Sequence, residues 1–387
     1  MTATEARPVS VAAGQHFVRR GPSRRWMHVF LSSLALVVIA ATLLTYVGIK
    51  TVRSSRAGHV VTTVTDPAAP GFEALLEPSP TLALLHVEAG QLRSMAVLGL
   101  GAGDVGGSVL AVSPRVWANP GDLLDLAGTS AFGGGPEAVL PPLQRALDFG
   151  VAEVAIVDDA RWAELVAPVE PIQLDNPSPI GRFPAGPTSL TAADVGEYLA
   201  ATEEGEEPQL QANRQRAFYG AWLGALAASD DPAPVTGEVE AGLSRFVSGL
   251  ASGPVRIETA PTTRLVVDGT AHTYVDHDAM AGLVPDLIPF PVAGEPVGRV
   301  RVRLLDGTGD DEHVQRAAPL VIPADAEIVL VGNADRLDHD ETEIRYHNPL
   351  AKAAATNLQA SLGAGRVIDD PRQTDAFDVT IVLGSDL

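Results

Sequence analysis

Between Val29 and Ile49 the chain runs for 21 residues without a charged side chain. At 1.5 Å per helical residue that is enough to cross a hydrocarbon core of about 30 Å. Arg19, Arg20, Arg24 and Arg25 crowd the N-terminal side of the run, with Arg7 further out, and Lys50, Arg53 and Arg56 follow it. The heavier positive cluster in front places the N-terminus in the cytoplasm. A cleaved signal peptide has an apolar core of only about 7–15 residues and a small-residue cleavage site. The longer run here predicts a retained transmembrane helix over 26–49, and so a single-pass protein of the cell membrane with its later domains extracytoplasmic.

The chain carries a net −21. Five arginines against Glu5 give residues 1–49 a charge of +4, so the remainder carries −25. A field of that sign excludes nucleic acid as a partner, and any polyphosphorylated ligand would need a local arginine cluster to override it. No cysteine is present, which removes disulfides, thiolate metal sites and thiol nucleophiles together. Lys50 and Lys352 are the only lysines among 27 basic residues, so arginine is the cation any site must use.

The first 25 residues lack hydrophobic periodicity and are expected to be disordered. Residues 50–75 read as a linker ending near Pro67 and Pro70. From 76 to 253, strand-like runs (Thr81–Val87, Met95–Leu100, Ser108–Val112, Glu153–Val157) mix with helix-like ones (Gly135–Phe149, Arg161–Ala167, Thr191–Ala201, Gln211–Ala228). That mixture predicts an α/β layered domain. Thr191 is placed to cap the helix that follows it, and Gly135-Pro136-Glu137 puts proline in a tolerated first turn. Residues 254–297 read as a connecting segment ending in the prolines of Leu287–Pro291. A small α/β domain follows over 298–387. Val300–Leu305, Glu327–Val331, Glu343–Tyr346 and Asp378–Leu383 read as strands, and Pro349–Leu362 reads as a helix closed by Gly363. Four strands and a capped helix suffice for a unit that folds alone.

Several constellations carry residue types suited to chemistry. Gly101-Ala102-Gly103-Asp104-Val105-Gly106 has the dinucleotide-loop spelling, but Gly107–Val112 reads as a strand rather than the helix that would receive a pyrophosphate. The loop is therefore read as a hairpin connection. His272, Asp276, His277 and Asp278 supply metal-type ligands, yet their setting reads as a strand end running into an acidic helix cap. Asp338, His339 and Asp340 read as a solvated loop. No GxSxG elbow occurs. Arg115 at a strand end and Arg214 near a helix start are better placed, because guanidinium forks and a helix dipole can converge on a phosphate.

Thr81–Val87, then Pro114-Arg115 with Trp117 and Pro120-Gly121, then Ala131–Glu137, then Ala192–Tyr198 leading to Arg214-Gln215 form an ordered series. It resembles the LytR-CpsA-Psr (LCP) domain of cell-wall glycopolymer ligases. Val302–Leu305 with Asp306-Gly307-Thr308-Gly309, the helix Ala351–Leu362 and the terminal Asp378–Asp386 resemble the LytR C-terminal domain. The LCP resemblance implies transfer of glycopolymers from polyprenyl pyrophosphate to peptidoglycan, with arginines around the pyrophosphate and an acid helping to hold magnesium. It makes Arg115, Arg214 and Gln215 candidate pyrophosphate-binding residues. Elsewhere the pattern fails: Pro80 and Val116 stand where acids are expected, and Ala200, Thr202 and Gln211 where arginines are expected.

Phosphoryl transfer depends on positioning and charge neutralisation, so these losses predict a non-catalytic binding or scaffolding factor in cell-wall glycopolymer assembly, without a cofactor. Its expected partners are the membrane, a polyprenyl-linked lipid or cell-wall glycan, and envelope proteins. The alternative is an active phosphotransferase with a rearranged site, in which Glu203, Glu204, Glu206 and Glu207 would supply ligands to magnesium. The topology has its own test. Protease added to intact protoplasts is expected to digest the chain after about residue 55, and full protection of the C-terminal region would reverse the orientation.

Overall fold

The computed structural model describes residues 64–229, 242–292, 299–324, 326–371 and 376–387. The predicted cytoplasmic arm and membrane span lie outside the described residues. Among the described residues no helix is long and apolar enough to cross a membrane.

The fold is mixed α/β. A five-stranded sheet takes the spatial order Glu153–Val157, Thr81–Glu88, Gln91–Leu100, Gly107–Val112, Val255–Thr259. The three middle strands are antiparallel to one another and each edge strand runs parallel to its neighbour. Side chains alternate across a strand, and here both alternating sets are buried. Leu82, Leu84, Ala96, Leu98 and Val109 enter one core with Trp162, Phe218, Tyr219 and Trp222. Ala83, Leu85, Met95, Val97 and Leu110 enter a second core with Leu143, Leu147, Met280 and Val284. Burial on both faces is why Thr81–Val87 reads as a continuous apolar run rather than an alternating one.

Helix Pro208–Ala227, with helices Asp159–Val166 and Gly242–Ala251, covers the first face, while Leu140–Leu147 and His277–Leu287 cover the second. The first core is aromatic. Trp162 meets Trp222 and Phe218 edge-on with ring centroids 5.5 and 5.6 Å apart, and Phe218 stacks on Trp222 at 5.8 Å. Such rings each bury about 150–250 Å² and fix the helix against the sheet.

Local expectations hold at several points. Thr191 and Asp194 form a reciprocal capping box, and Gly363 closes its helix in the left-handed region at φ 70°. The Gly101–Gly106 loop joins two antiparallel strands. Gly107 there has φ 137°, and a side chain on it would meet the Gly99 carbonyl at 2.1 Å. Other stretches differ. The segment expected only to connect completes the first sheet with Val255–Thr259. It then adds the hairpin Thr262–Val267/Thr270–Val275 and helix His277–Leu287, capped by Asp276 Oδ1 accepting from the Ala279 N–H at 3.1 Å. Pro285 lies inside this helix, and the prolines that argued against regular structure, Pro289 and Pro291, fall just after its end.

The second sheet has six strands in the order Glu73–Leu75, Ala326–Asn333, Val300–Asp306, Val379–Leu383, Glu343–Tyr346, Arg366–Asp369. Its outermost strand comes from the stretch read as a linker. Glu73–Leu75 pairs antiparallel with Leu330–Gly332, the Asn333 amide donates to the Pro67 and Ala69 carbonyls at 2.8 and 2.9 Å, and Arg303 pairs with Glu73. A side chain at Gly332 would meet the Phe72 carbonyl at 2.1 Å, so glycine is what lets the two backbones approach. The sheet of residues 298–387 thus takes its outermost strand from outside that stretch, and a fragment 298–387 would leave the Ala326–Asn333 edge bare.

Arg299 ties the two sheets' layers together. Its buried guanidinium donates to the Ile322 and Ala326 carbonyls at 2.8 and 2.9 Å, and reaches back to the Asp148 carbonyl at 2.9 Å and the Asp148 carboxylate at 2.6 Å. Removing one partner of a buried pair strands the other charge away from water. Arg299→Ala is therefore expected to lower stability by about 3–5 kcal/mol in urea denaturation; a loss within experimental error would mean the contact is incidental.

Candidate functional site

Strand ends and a helix start meet at one end of the first sheet. Pro114 and Arg115 follow the strand Gly107–Val112, Arg93 opens the strand after its hairpin turn, and Ala200, Thr202 and Gln211 flank the junction of helices Val195–Ala200 and Pro208–Ala227. Together they line a cavity of about 280 Å³. The three positions where the LCP resemblance expects arginines thus gather around Arg115 and are uncharged. Gln211 instead serves as a clamp. It accepts from Ser113 Oγ at 2.7 Å and donates to the Arg93 and Leu199 carbonyls at 2.9 and 3.2 Å.

Arg214 lies beside this cavity with its side chain only 1% exposed. Its Nη1 donates to Glu206 Oε1 at 2.5 Å and Ser178 Oγ at 3.0 Å, and its Nη2 to the Ala201 carbonyl at 2.9 Å and Glu206 Oε2 at 3.2 Å. Arg115 takes the same partner: Nη1 reaches Glu206 Oε2 at 3.5 Å and Nη2 donates to the Glu206 carbonyl. One carboxylate therefore serves both candidate arginines. Gln215 is turned into the interior, donating to the Leu199 carbonyl at 3.4 Å. Arg214 Nε and Gln215 Oε1 are buried atoms without a hydrogen-bond partner among the described residues.

Pro80 stands at the other end of the strand Thr81–Glu88. Eight residues at roughly 3.3 Å each put it about 25 Å from the Arg115 end, where it lines a separate cavity of about 560 Å³ with Leu100, Arg245 and Phe290. It therefore has no part in the Arg115 cavity. Val116 is buried in the second core. Arg93 was missed because the strand was read from Met95, whereas it begins at Gln91; the glycine of Ala89-Gly90 was the signal of a turn just before it. Glu206 was foreseen only as a metal ligand. Among the described residues no three His, Asp or Glu side chains gather into a metal-type cluster. His277 contacts the Ala118 carbonyl at 3.2 Å and His272 packs on Trp117 at 4.4 Å between centroids. The acidic-cap reading of Asp276 holds.

Asp125 adds a second acid near Arg115. Burial raises its carboxyl above the usual range, opposed by the Gly128 N–H and by the Arg115 charge. A Ser–His–Asp chain also appears: His86 Nδ1 lies 3.3 Å from Ser94 Oγ, and Nε2 lies 2.8 Å from Asp159 Oδ1. Its accessibility is inverted for catalysis. Ser94 and His86 are buried while Asp159 is half exposed, so no substrate reaches the hydroxyl and the chain is read as structural.

Residues 299–387 match the family described as LytR cell envelope-related transcriptional attenuator. No curated protein sequence matches the chain. Solved structures similar to it include TagV of B. subtilis, at 14% identity over 55% of this chain and 97% of that one, TM-score 0.43. TagT bound to LIIa-WTA is similar at 14% over 58% and 94%, TM-score 0.42. The LytR-Csp2A-Psr enzyme from Actinomyces oris is similar at 16% over 54% and 92%, TM-score 0.41. The chemistry of the site rests on its own residues.

Burial pushes the His86 imidazole below its ordinary 6.5, outweighing the Asp159 and Glu88 carboxylates, and Arg93 acts in the same direction as burial. A group whose folded pKa is depressed stays neutral in the native state while the unfolded chain takes up its proton. Stability is therefore lost as pH falls below about 6.5. His86→Gln is expected to flatten that part of the loss when urea midpoints are compared at pH 7.5, 6.5 and 5.5; parallel curves for the two proteins would show that His86 does not contribute.

Proposed function

We propose that the chain is a membrane-anchored envelope protein whose LCP-like domain binds or scaffolds a component of cell-wall glycopolymer assembly without transferring it. The LytR C-terminal domain supports the envelope setting. The observation that carries the non-catalytic reading is Glu206, which neutralises Arg115 and Arg214 together. Positioned positive charge is the main contribution a protein makes to phosphoryl transfer. A site whose arginines face their own carboxylate, and whose neighbours are Ala200, Thr202 and Gln211, supplies little of it.

The reading includes a membrane span at 26–49 with the domains outside the cytoplasm, so that the cavity faces envelope material. Protein partners of the C-terminal domain belong to the same proposal. Solubilised full-length protein is expected to bind magnesium pyrophosphate with a Kd weaker than about 0.1 mM, near −5.5 kcal/mol, and to release no phosphate from it or from polyprenyl pyrophosphate. Calorimetric titration and a phosphate-release assay measure the two. Metal-dependent release that disappears in Arg214→Ala would replace this reading with an active phosphotransferase.

A further inference from the structure

We infer that Glu206 is a built-in occupant of the anion seat between Arg115 and Arg214, so that the acidic loop Ala201–Glu207 acts as a displaceable plug against phosphate-bearing ligands. The inference rests on the proposed reading of this end of the sheet as a binding site and adds how access to it is controlled.

Glu206 is placed as a bound anion would be. Its two carboxylate oxygens meet Arg214 Nη1 and Nη2 at 2.5 and 3.2 Å, and the second also faces Arg115 Nη1 at 3.5 Å. That is the two-pronged geometry in which guanidinium recognises carboxylate or phosphate. Its side chain is 7% exposed, whereas Glu203, Glu204 and Glu207 are exposed. The loop thus sends one of four acids inward.

The seat is imperfectly filled. Arg214 Nε is buried without a partner among the described residues, since Glu206 occupies the Nη1 and Nη2 end of the guanidinium and leaves the Nε edge open. A phosphate or pyrophosphate carries more acceptor oxygens on the same charge centre, so it matches the donor set better than the resident glutamate. Arg93 lines the adjoining cavity with Arg115. With Glu206 in place, Arg115 faces two acids, Glu206 and Asp125; with it displaced, it faces Asp125 alone.

The loop has a pivot, although Arg214 and Arg115 also hold its Ala201 and Glu206 carbonyls. It lies between two helices, turns through Gly205 at φ 78°, and is held internally by the Glu206 N–H donating to the Glu203 carbonyl at 3.1 Å. At its far end Glu207 pairs with Arg264 at 2.9 Å, an exposed pair that adds little holding force. Four glutamates within five residues repel one another, and that repulsion favours release once the inward one loses its partners. A tethered competitor acts at millimolar effective concentration, so a free anion in the native protein is disfavoured without being excluded.

The test is calorimetric titration of solubilised full-length protein with inorganic pyrophosphate, comparing wild type with Glu206→Gln. The variant is expected to bind about tenfold tighter or better, since charge-assisted contacts are freed for the ligand, and Arg115→Ala in the Glu206→Gln background is expected to abolish the gain. Saturating pyrophosphate should also accelerate amide exchange across 201–207 in the wild type. A folded Glu206→Gln protein with unchanged affinity would overturn the inference. If that variant fails to fold, the exchange measurement on the wild type decides, and exchange unaltered at saturation would overturn it equally. Phosphate release is followed in the same samples: turnover would refute the non-catalytic reading and leave the plug to stand or fall on affinity and exchange.

Discussion

Two-sided burial of the strands Thr81–Glu88 and Gln91–Leu100 is the constraint from which the first domain follows. Once Leu82 and Leu84 face the aromatic core and Ala83 and Leu85 face the second core, helices must cover both sides. Polar groups can then reach solvent only at the sheet's ends. The chemistry is accordingly confined to the two ends of the strands, with the Arg115 cavity at one and the cavity lined by Pro80 and Arg245 at the other. The same two-sided burial explains why the Ser–His–Asp chain has no access to substrate: His86 and Ser94 are buried, with Trp162 against the imidazole.

Much of this was legible in the sequence because local signals agreed with the fold. Continuous apolar runs marked the central strands, Thr191 and Gly363 marked helix ends, and glycine spacing with the following strand marked the Gly101–Gly106 turn. The missed elements share a cause. Glu73–Leu75 is a strand only because the Ala326–Asn333 edge lies beside it, more than 250 residues away in sequence. Its own residues carry no alternation long enough to read. Helix His277–Leu287 was masked by Pro289 and Pro291, which lie beyond its end; Met280, Val284 and Leu287 pack it against the second core even with Pro285 inside it.

The candidate site was legible in its residue types and not in its pairing. Sequence spacing brought Arg115 and Arg214 forward, and the structure joins them, though through an acid between them. The Pro80 correspondence failed for a geometric reason. A position at the start of a strand and one at its end differ by the strand's whole length, and alignment by likeness does not weigh that distance.

The pairing itself follows from composition. With 48 acidic residues against 27 basic ones, an arginine held near other loops meets a carboxylate almost by default. Arg245 meets Asp104 and Glu153, Arg182 meets Asp194 and Glu197, and Arg366 meets Glu341 and Glu343. An arginine stays available to an outside anion only where geometry keeps acids away. Arg93 meets that condition. It is exposed at the start of a strand, and no ion pair engages it among the described residues. The surviving positive charge of the cavity therefore sits at Arg93 on its rim, while the deeper arginines are committed to Glu206. The pairing of Arg214 and Arg115 with Glu206, against an unpaired Arg93, is in this sense a consequence of the protein's overall acidity.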